Sequence, residues 1–413
     1  MSIPAAQKYI LDFEHCGLGL FIHWGLYSQL GKGEWIWNFS NMKKENYIKL
    51  FDSFTAEDFD AEQIVTMAKN AGFKYITLTT RHHEGFSLYD TRGLSKFDAP
   101  HSPAGRDLVG EFADSCRKHG IVPFFYHTTL DWYNDLFEND FDSYLEYLRK
   151  SVEILCRNYG KIGGLWFDGN WSKPNADWKE DALYATIRRY QPEAMIINNT
   201  GLSERGRYGN PEIDAVTYEN GMAAPINREG MKKYIAGEMC NTINDHWGYG
   251  KNDINYKSPG ELIKNLCSCR RVGANYLFNI GPEAQGGIDP YQEQLIGLIG
   301  KWMHQFGESI YEGTPYGAGS IGNSFILKSR NGKFLYLFVP DIGICGSNNV
   351  VVGGKYTGAY SFGGVTDEIK DIEWMDNGEK LKFIQGSNML SVDFTGTPYG
   401  TSFPVRVAKA EIK

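Results

Sequence analysis

Short apolar runs alternate with amphipathic stretches along most of the 413-residue chain. Short apolar runs bounded by polar residues or glycine read as buried strands, whereas apolar positions recurring at three- and four-residue intervals read as helices with one buried face. On this basis strands fall at 18–24, 74–80, 122–128, 163–167, 194–198, 215–218, 234–237 and 274–280, with the sixth and seventh the weakest. Helical patterns at 60–71, 107–119, 141–159 and 261–272 separate strands, and Gly72, Gly120 and Gly160 stand where C-caps need a left-handed residue. Eight strands with intervening helices predict a (β/α)8 TIM-like barrel, an α/β fold that collects its chemistry at the C-terminal ends of the strands.

A last helix is expected at 291–306, and after Gly313-Thr314-Pro315 the helical period gives way to short alternating strands with Gly and Asn turns. The sequence therefore divides into a catalytic barrel at 1–312 and a C-terminal β-sandwich domain at 313–413. A chain of this length exceeds what one core usually holds.

Composition narrows the partners. A formal charge of -8 and no Lys/Arg cluster disfavour nucleic acid. Ten Trp and 25 Tyr exceed what a core requires and suit stacking against sugar faces, although aromatic core filling explains any single one equally well. Seven Cys, an odd number with no CxxC pair, read as reduced core thiols. No segment reaches membrane-spanning length, and the first eleven residues lack the basic start and apolar stretch of a signal peptide. A cytoplasmic protein, or a secreted one trimmed of its leader, is expected.

Strand ends are unusually rich in polar groups. The first ends in His23-Trp24-Gly25, the second in Arg81-His82-His83-Glu84, the third in Tyr126-His127, the fourth in Asp168 and the eighth in Asn279-Ile280-Gly281. One histidine in such a place is usually structural, but four on one face argue for a site. A zinc site lacks its usual spacing, with no His-x-His on the first strand and no HExxH. As strand neighbours, His82 and His83 should also point to opposite sides. Hydrogen bonding to hydroxyls suits these histidines better than metal ligation, and neither a metal nor a cofactor is expected.

Asp168 follows the apolar run Leu165-Trp166-Phe167, and Trp166 shares its face. A carboxylate there is either paired structurally or reactive. Glycoside hydrolysis would need a second carboxyl with a raised pKa, for which Glu212, Glu219 and Glu238 are candidates. Glu219 follows the sixth strand and so lies on the catalytic face.

The stretches "GLGLFIHWGLYSQLGKGEWIWN", "AGFKYITLTTRHHEGFSLYD", "RDLVGEFADSCRKHGI", "GLWFDGNW" and "NYLFNIGP" together resemble the α-L-fucosidases of glycoside hydrolase family 29. The resemblance spans nearly the whole barrel in order, and the C-terminal sandwich matches the family's architecture. It implies that Asp168 is the nucleophile and that His23, Trp24, Glu34, Trp35, His82, His83, Tyr126 and Trp166 hold the sugar hydroxyls and its C5 methyl. The family's acid/base varies in position, and "TYEN" is the closest local match, which favours Glu219. Glu238 lies in "GEMCNTINDHWGYG", similar to a family segment near the site. Where many members read "NDR", this chain has Asn198-Asn199-Thr200, so Arg205 or Arg207 would have to replace the arginine.

The resemblance implies a retaining exo-α-L-fucosidase acting by double displacement on terminal fucose of an oligosaccharide or glycoconjugate, with no membrane partner. Two alternatives stay open: a catalytically silent, lectin-like fucose-binding protein, and a hydrolase for a related sugar such as L-galactose. Linkage preference and self-association into a homo-oligomer are not legible.

Overall fold

The computed structural model describes residues 2–199, 206–320, 322–345 and 357–413. Eight parallel strands close into a barrel in chain order: β1 (Leu18–Ile22), β2 (Tyr75–Arg81), β3 (Val122–Thr128), β4 (Gly164–Asp168), β5 (Met195–Asn198), β6 (Ala215–Glu219), β7 (Ala236–Thr242) and β8 (Asn275–Ile280). Five registered pairs, Leu18↔Tyr276 to Ile22↔Ile280, join the last strand to the first. Helices Ala61–Asn70, Leu108–His119 and Phe141–Asn158 begin where Asp60, Asp107 and Asp140 each accept a backbone N–H three residues on, satisfying donors that the first helical turn leaves free.

The barrel interior is filled unevenly. Phe21, Tyr75, Phe124, Tyr126 and Trp166 project inward from β1 to β4, whereas β6 and β7 contribute Ala215, Ala236 and Cys240. Gly19 on β1 is part of this solution, because a Cβ there would lie 2.2 Å from the Tyr75 ring. Ile10 and Phe13, from the helix Lys8–Glu14, join the same cluster.

One strand departs from its predicted place. The expected 234–237 is Ala236–Thr242 in the structure, because its inward residues include a carboxylate and the strand is therefore not an apolar run. Glu238 consequently sits within the strand rather than after it.

The described chain separates into two compact units, one of Met1–Tyr256 with Asn275–Ile296 and another of Lys257–Ala274 with Gly297–Lys413. The second unit contains the helix Pro259–Arg271 and two antiparallel sheets. The five-stranded sheet runs in the order Ile369–Trp374, Val405–Ile412, Phe334–Pro340, Phe325–Ser329, Gly313–Pro315. The four-stranded one runs Gly319–Ser320, Gly358–Gly363, Met389–Phe394, Lys382–Gln385. Leu335, Leu337 and Trp374 from the first sheet and Phe362, Leu390 and Val392 from the second share one buried cluster, as alternating strands with one inward face require.

Candidate active site

A cavity of about 420 Å³, counting its open mouth, lies at the C-terminal end of the barrel strands and takes side chains from the ends of β1 to β7 and their loops. Asp168 closes β4. Its Oδ2 accepts from the Tyr126 hydroxyl at 3.3 Å and lies 3.4 Å from His83 Nε2. Its Oδ1 accepts from the Trp171 indole at 2.8 Å and from the Asn199 amide at 3.4 Å. Burial works to raise this carboxyl's pKa, but the donors outweigh it, His83 foremost and then Trp171 and Tyr126, and hold it below the ordinary aspartate value. The local backbone requires glycine next: Gly169 has φ of 120°, and a Cβ there would come within 2.6 Å of the Leu130 nitrogen. That close approach lets the Thr129 N–H and hydroxyl donate to the Asp168 carbonyl at 2.7 and 3.0 Å.

Glu219 closes β6 and is the opposite case. Burial, and then the charge of Asp168, push its carboxyl up to about 7, against hydrogen bonds from Asn199 and Trp247 that act to lower it. The Asn199 amide donates to Glu219 Oε2 at 2.6 Å as well as reaching Asp168 Oδ1. Asp168 Oδ1 and Glu219 Oε2 are therefore no more than about 6 Å apart, a limit that admits the ~5–5.5 Å of retaining glycosidases and falls short of the ~6.5–9.5 Å of inverting ones. One carboxyl is held ionised and its neighbour held protonated, which is the division of labour that acid–base chemistry at neutral pH needs.

The histidines are fixed by their partners. Asn279 on β8 donates its Nδ2 to the Trp247 carbonyl at 2.8 Å, so its Oδ1 accepts from His23 Nδ1 at 2.6 Å. Burial lowers the His23 pKa to about 3, leaving a neutral ring with Nε2 as an acceptor. His83 Nδ1 is hydrogen-bonded to the Thr128 hydroxyl at 2.7 Å. Contrary to the sequence expectation, His82 and His83 do not point apart: β2 ends at Arg81, the chain turns, and both rings line the cavity with centroids 4.2 Å apart.

Two loops complete the wall. Glu34 and Trp35 come from the loop after β1, and Trp247 from the loop after β7. Gly33 N–H donates to the Tyr249 carbonyl at 3.0 Å, and Lys251 N–H to the Gly31 carbonyl at 2.9 Å. Glu34 Oε2 accepts from Gly248 N–H at 2.8 Å, and burial raises its carboxyl above the usual range in spite of that donor. Glu84, pushed up to about 7 by burial, holds the root of the first loop by accepting from Leu26 N–H, Tyr27 N–H and the Tyr47 hydroxyl.

Of the residues singled out in the sequence, His23, Glu34, Trp35, His82, His83, Tyr126, Trp166, Asp168 and Glu219 meet around this cavity, whereas Trp24, Arg207, Glu212, Glu238 and His127, which bonds to Ser151 instead, do not line it. Trp24, just beyond the end of β1, is turned away from the cavity that His23 lines and stacks on Phe59 with centroids 4.9 Å apart and planes 6° apart. Glu238, inside β7, is enclosed by hydrogen bonds from the Trp166 indole at 2.8 Å and from the Tyr75 hydroxyl. Arg207 is exposed and borders a separate groove with Trp171 and Trp178. Thr200 and Arg205 lie outside the described residues. Glu212, the remaining acid candidate, is at the surface, 3.4 Å from Arg188.

Phe21, Trp171, Asn199, Cys240 and Trp247 complete the lining. Asn199 was within reach of the rule that finds Asp168, being the polar residue that follows an apolar strand. Trp171 and Trp247 sit in loops without periodicity and carry no comparable signal.

Comparisons with known proteins cover the same region. The family model described as Alpha-L-fucosidase matches residues 5–308. The tissue alpha-L-fucosidase of Bos taurus is 30% identical over 366 residues, 80% of this chain and 75% of that protein. Its Homo sapiens counterpart is 30% identical over 338 residues, 74% of this chain and 69% of that protein. Among solved structures, alpha-L-fucosidase isoenzyme 1 from Paenibacillus thiaminolyticus matches with a TM-score of 0.83 and 29% identity, covering 98% of this chain and 99% of that one.

Proposed function

The chain belongs to the α-L-fucosidase family, and from that premise we propose that it is a retaining hydrolase of terminal α-L-fucosides on glycans or glycoconjugates, with Asp168 as nucleophile and Glu219 as acid and base. The observation that carries the reading is the pair itself: two carboxyls within about 6 Å, one held ionised and the other held protonated up to about neutral pH. A binding protein without catalysis would have no use for opposed proton affinities.

In the first step an Asp168 oxygen bonds to the anomeric carbon as the bond to the leaving oxygen breaks, and Glu219 passes its proton to that oxygen. In the second step water attacks the same carbon, Glu219 takes a proton from it, and the ester bond to Asp168 breaks. Two inversions at one carbon give net retention. His23, His82, His83 and Glu34 supply hydrogen-bonding groups suited to hydroxyls, while Phe21, Trp35, Trp166, Trp171 and Trp247 supply ring faces suited to the apolar face and methyl group of a 6-deoxy sugar.

Proton NMR of an aryl α-L-fucoside digest, recorded in the first minutes, should show the α anomer of fucose ahead of the β. First appearance of the β anomer would exclude double displacement, and no release of fucose from any fucoside would exclude the activity.

Trp171 makes a finer test. Trp171→Phe keeps the ring, stacked on Trp35 at 5.7 Å and 28°, and removes one donor to Asp168. We expect kcat/KM to fall about tenfold. The acidic limb of its pH profile should move to higher pH, because losing a donor to the ionised form raises the Asp168 pKa. An unchanged acidic limb would mean that the indole N–H has no part in keeping Asp168 ionised.

A further inference from the structure

Asn199 follows β5 directly and is 2% exposed. Its backbone N–H donates to the Phe167 carbonyl at 2.8 Å, tying it to the strand that carries Asp168. Its Oδ1 accepts from the Thr217 hydroxyl at 2.8 Å. Its Nδ2 donates to Glu219 Oε2 at 2.6 Å and lies 3.4 Å from Asp168 Oδ1. The reverse amide orientation would turn an acceptor oxygen toward an ionised carboxylate that has no hydrogen to give. The nitrogen has two hydrogens, and one carboxyl of the pair is within reach of each.

Two chemical consequences follow. In protonated Glu219 the carbonyl oxygen is the better acceptor, so the Asn199 contact marks Oε2 as carbonyl and puts the acidic proton on Oε1. During the reaction the negative charge also changes place. It resides on Asp168 before attack and on Glu219 once the ester has formed, and Nδ2 faces both without having to move, as a preorganised donor should.

We propose that Asn199 is a positioning residue for both chemical steps, directing the Glu219 proton to Oε1 and supplying a hydrogen bond to whichever of the two carboxyls is ionised. The proposal rests on the roles assigned above to Asp168 and Glu219. The titratable groups around Glu219 are Asp168 on β4, Tyr126 on β3, Cys240 on β7 and Glu34 in the loop after β1. All four are acids, so none of them would replace the amide in favouring ionised Glu219, and the Trp247 indole, which also donates to Glu219, is kept in every variant compared.

The test is a set of kcat/KM–pH profiles for the parent, Asn199→Ala and Asn199→Asp, each on a fucosyl disaccharide and on 2,4-dinitrophenyl fucoside, whose leaving group needs no proton. Asn199→Ala should lose about 10–100-fold on the disaccharide, less on the activated substrate, and more in kcat than in KM. Its alkaline limb on the disaccharide should move upward by about half a pH unit or more, because losing a donor raises the Glu219 pKa. The isosteric Asn199→Asp should move that limb further, by about one unit or more, since a carboxyl then stands where a donor was. If Asn199→Ala does not fold, Thr217→Val replaces it; removing the hydroxyl that orients the amide should give a smaller shift in the same direction. Alkaline limbs within about 0.2 unit of the parent in the folded variants, with equal losses on both substrates, would reduce Asn199 to packing and overturn the proposal. Failure of the underlying reading looks different: the parent itself would not hydrolyse fucosides, or Asp168→Asn would keep its turnover.

Discussion

Asp168→Asn should turn over an aryl α-L-fucoside at less than about a thousandth of the parent rate, with little change in substrate affinity or melting temperature. The loss falls on kcat because an amide oxygen cannot displace the aglycone and leave as a stable ester partner. The fold should tolerate the change because the amide fits the existing hydrogen bonds. Its oxygen can keep the Trp171 and Asn199 donors, its nitrogen can face the Tyr126 hydroxyl, which also accepts, and the contact it gives up is the one of 3.4 Å to His83 Nε2. Asp168→Gly with added azide gives the chemical signature. Azide entering from the vacated face should yield β-L-fucosyl azide, the inverted product. Parent-like turnover by Asp168→Asn would remove Asp168 from the nucleophile's role.

Glu219→Ala should lose about 10²–10⁴-fold on glycan substrates whose leaving oxygen needs a proton, and far less in the first step with a dinitrophenyl leaving group. Azide should restore turnover by attacking the covalent intermediate, and here the product should be α-L-fucosyl azide, opposite to that from the nucleophile variant. The pH profile supplies an independent check. With its carboxyl pushed up to about 7, Glu219 holds its proton below that pH and gives it up above. The parent's activity on glycans should therefore fall as pH rises through about 7, and that limb should vanish in Glu219→Ala. A variant with full activity and an intact alkaline limb would move the role to Glu34, the other carboxyl lining the cavity. Glu212 and Glu238 are poorly placed to inherit it, the first at the surface and the second enclosed between Tyr75 and Trp166.

The barrel was legible because most of its strands carry a short apolar run, and one such as Leu18–Ile22, wholly buried, announces itself whatever surrounds it. The seventh strand was misplaced because its buried residues include Glu238 and Asn241. What makes Glu238 tolerable there is Tyr75 and Trp166, 163 and 72 residues away, and no local pattern reports partners at such separations. The same limit governs the site. Asp168 and Glu219 could be found because each ends a strand, and Asn199 by the same reasoning. Trp24 shows the other side of that limit, because the alternation that fails for His82 and His83 beyond β2 does separate Trp24 from His23 beyond β1. Trp171 and Trp247 could not be found, because their places depend on loop paths. The joint orientation of His82 and His83 depends on where a strand stops, one or two residues being enough to turn a side chain from outside to inside.

The hydrogen bond between His23 and Asn279 joins residues 256 positions apart, and it gives the site a place in time as well as in space. A growing chain presents His23 almost at once, but the amide that selects its tautomer is made only when the last barrel strand has been synthesised. Until then the first strand has one edge without a partner, and the imidazole has no fixed acceptor role. The donor pattern of His23 is therefore set only once the chain has reached Asn279. A chain that stops short of Asn279 would carry Asp168, Glu219 and most of the wall, yet it would lack the residue that sets the donor pattern of His23.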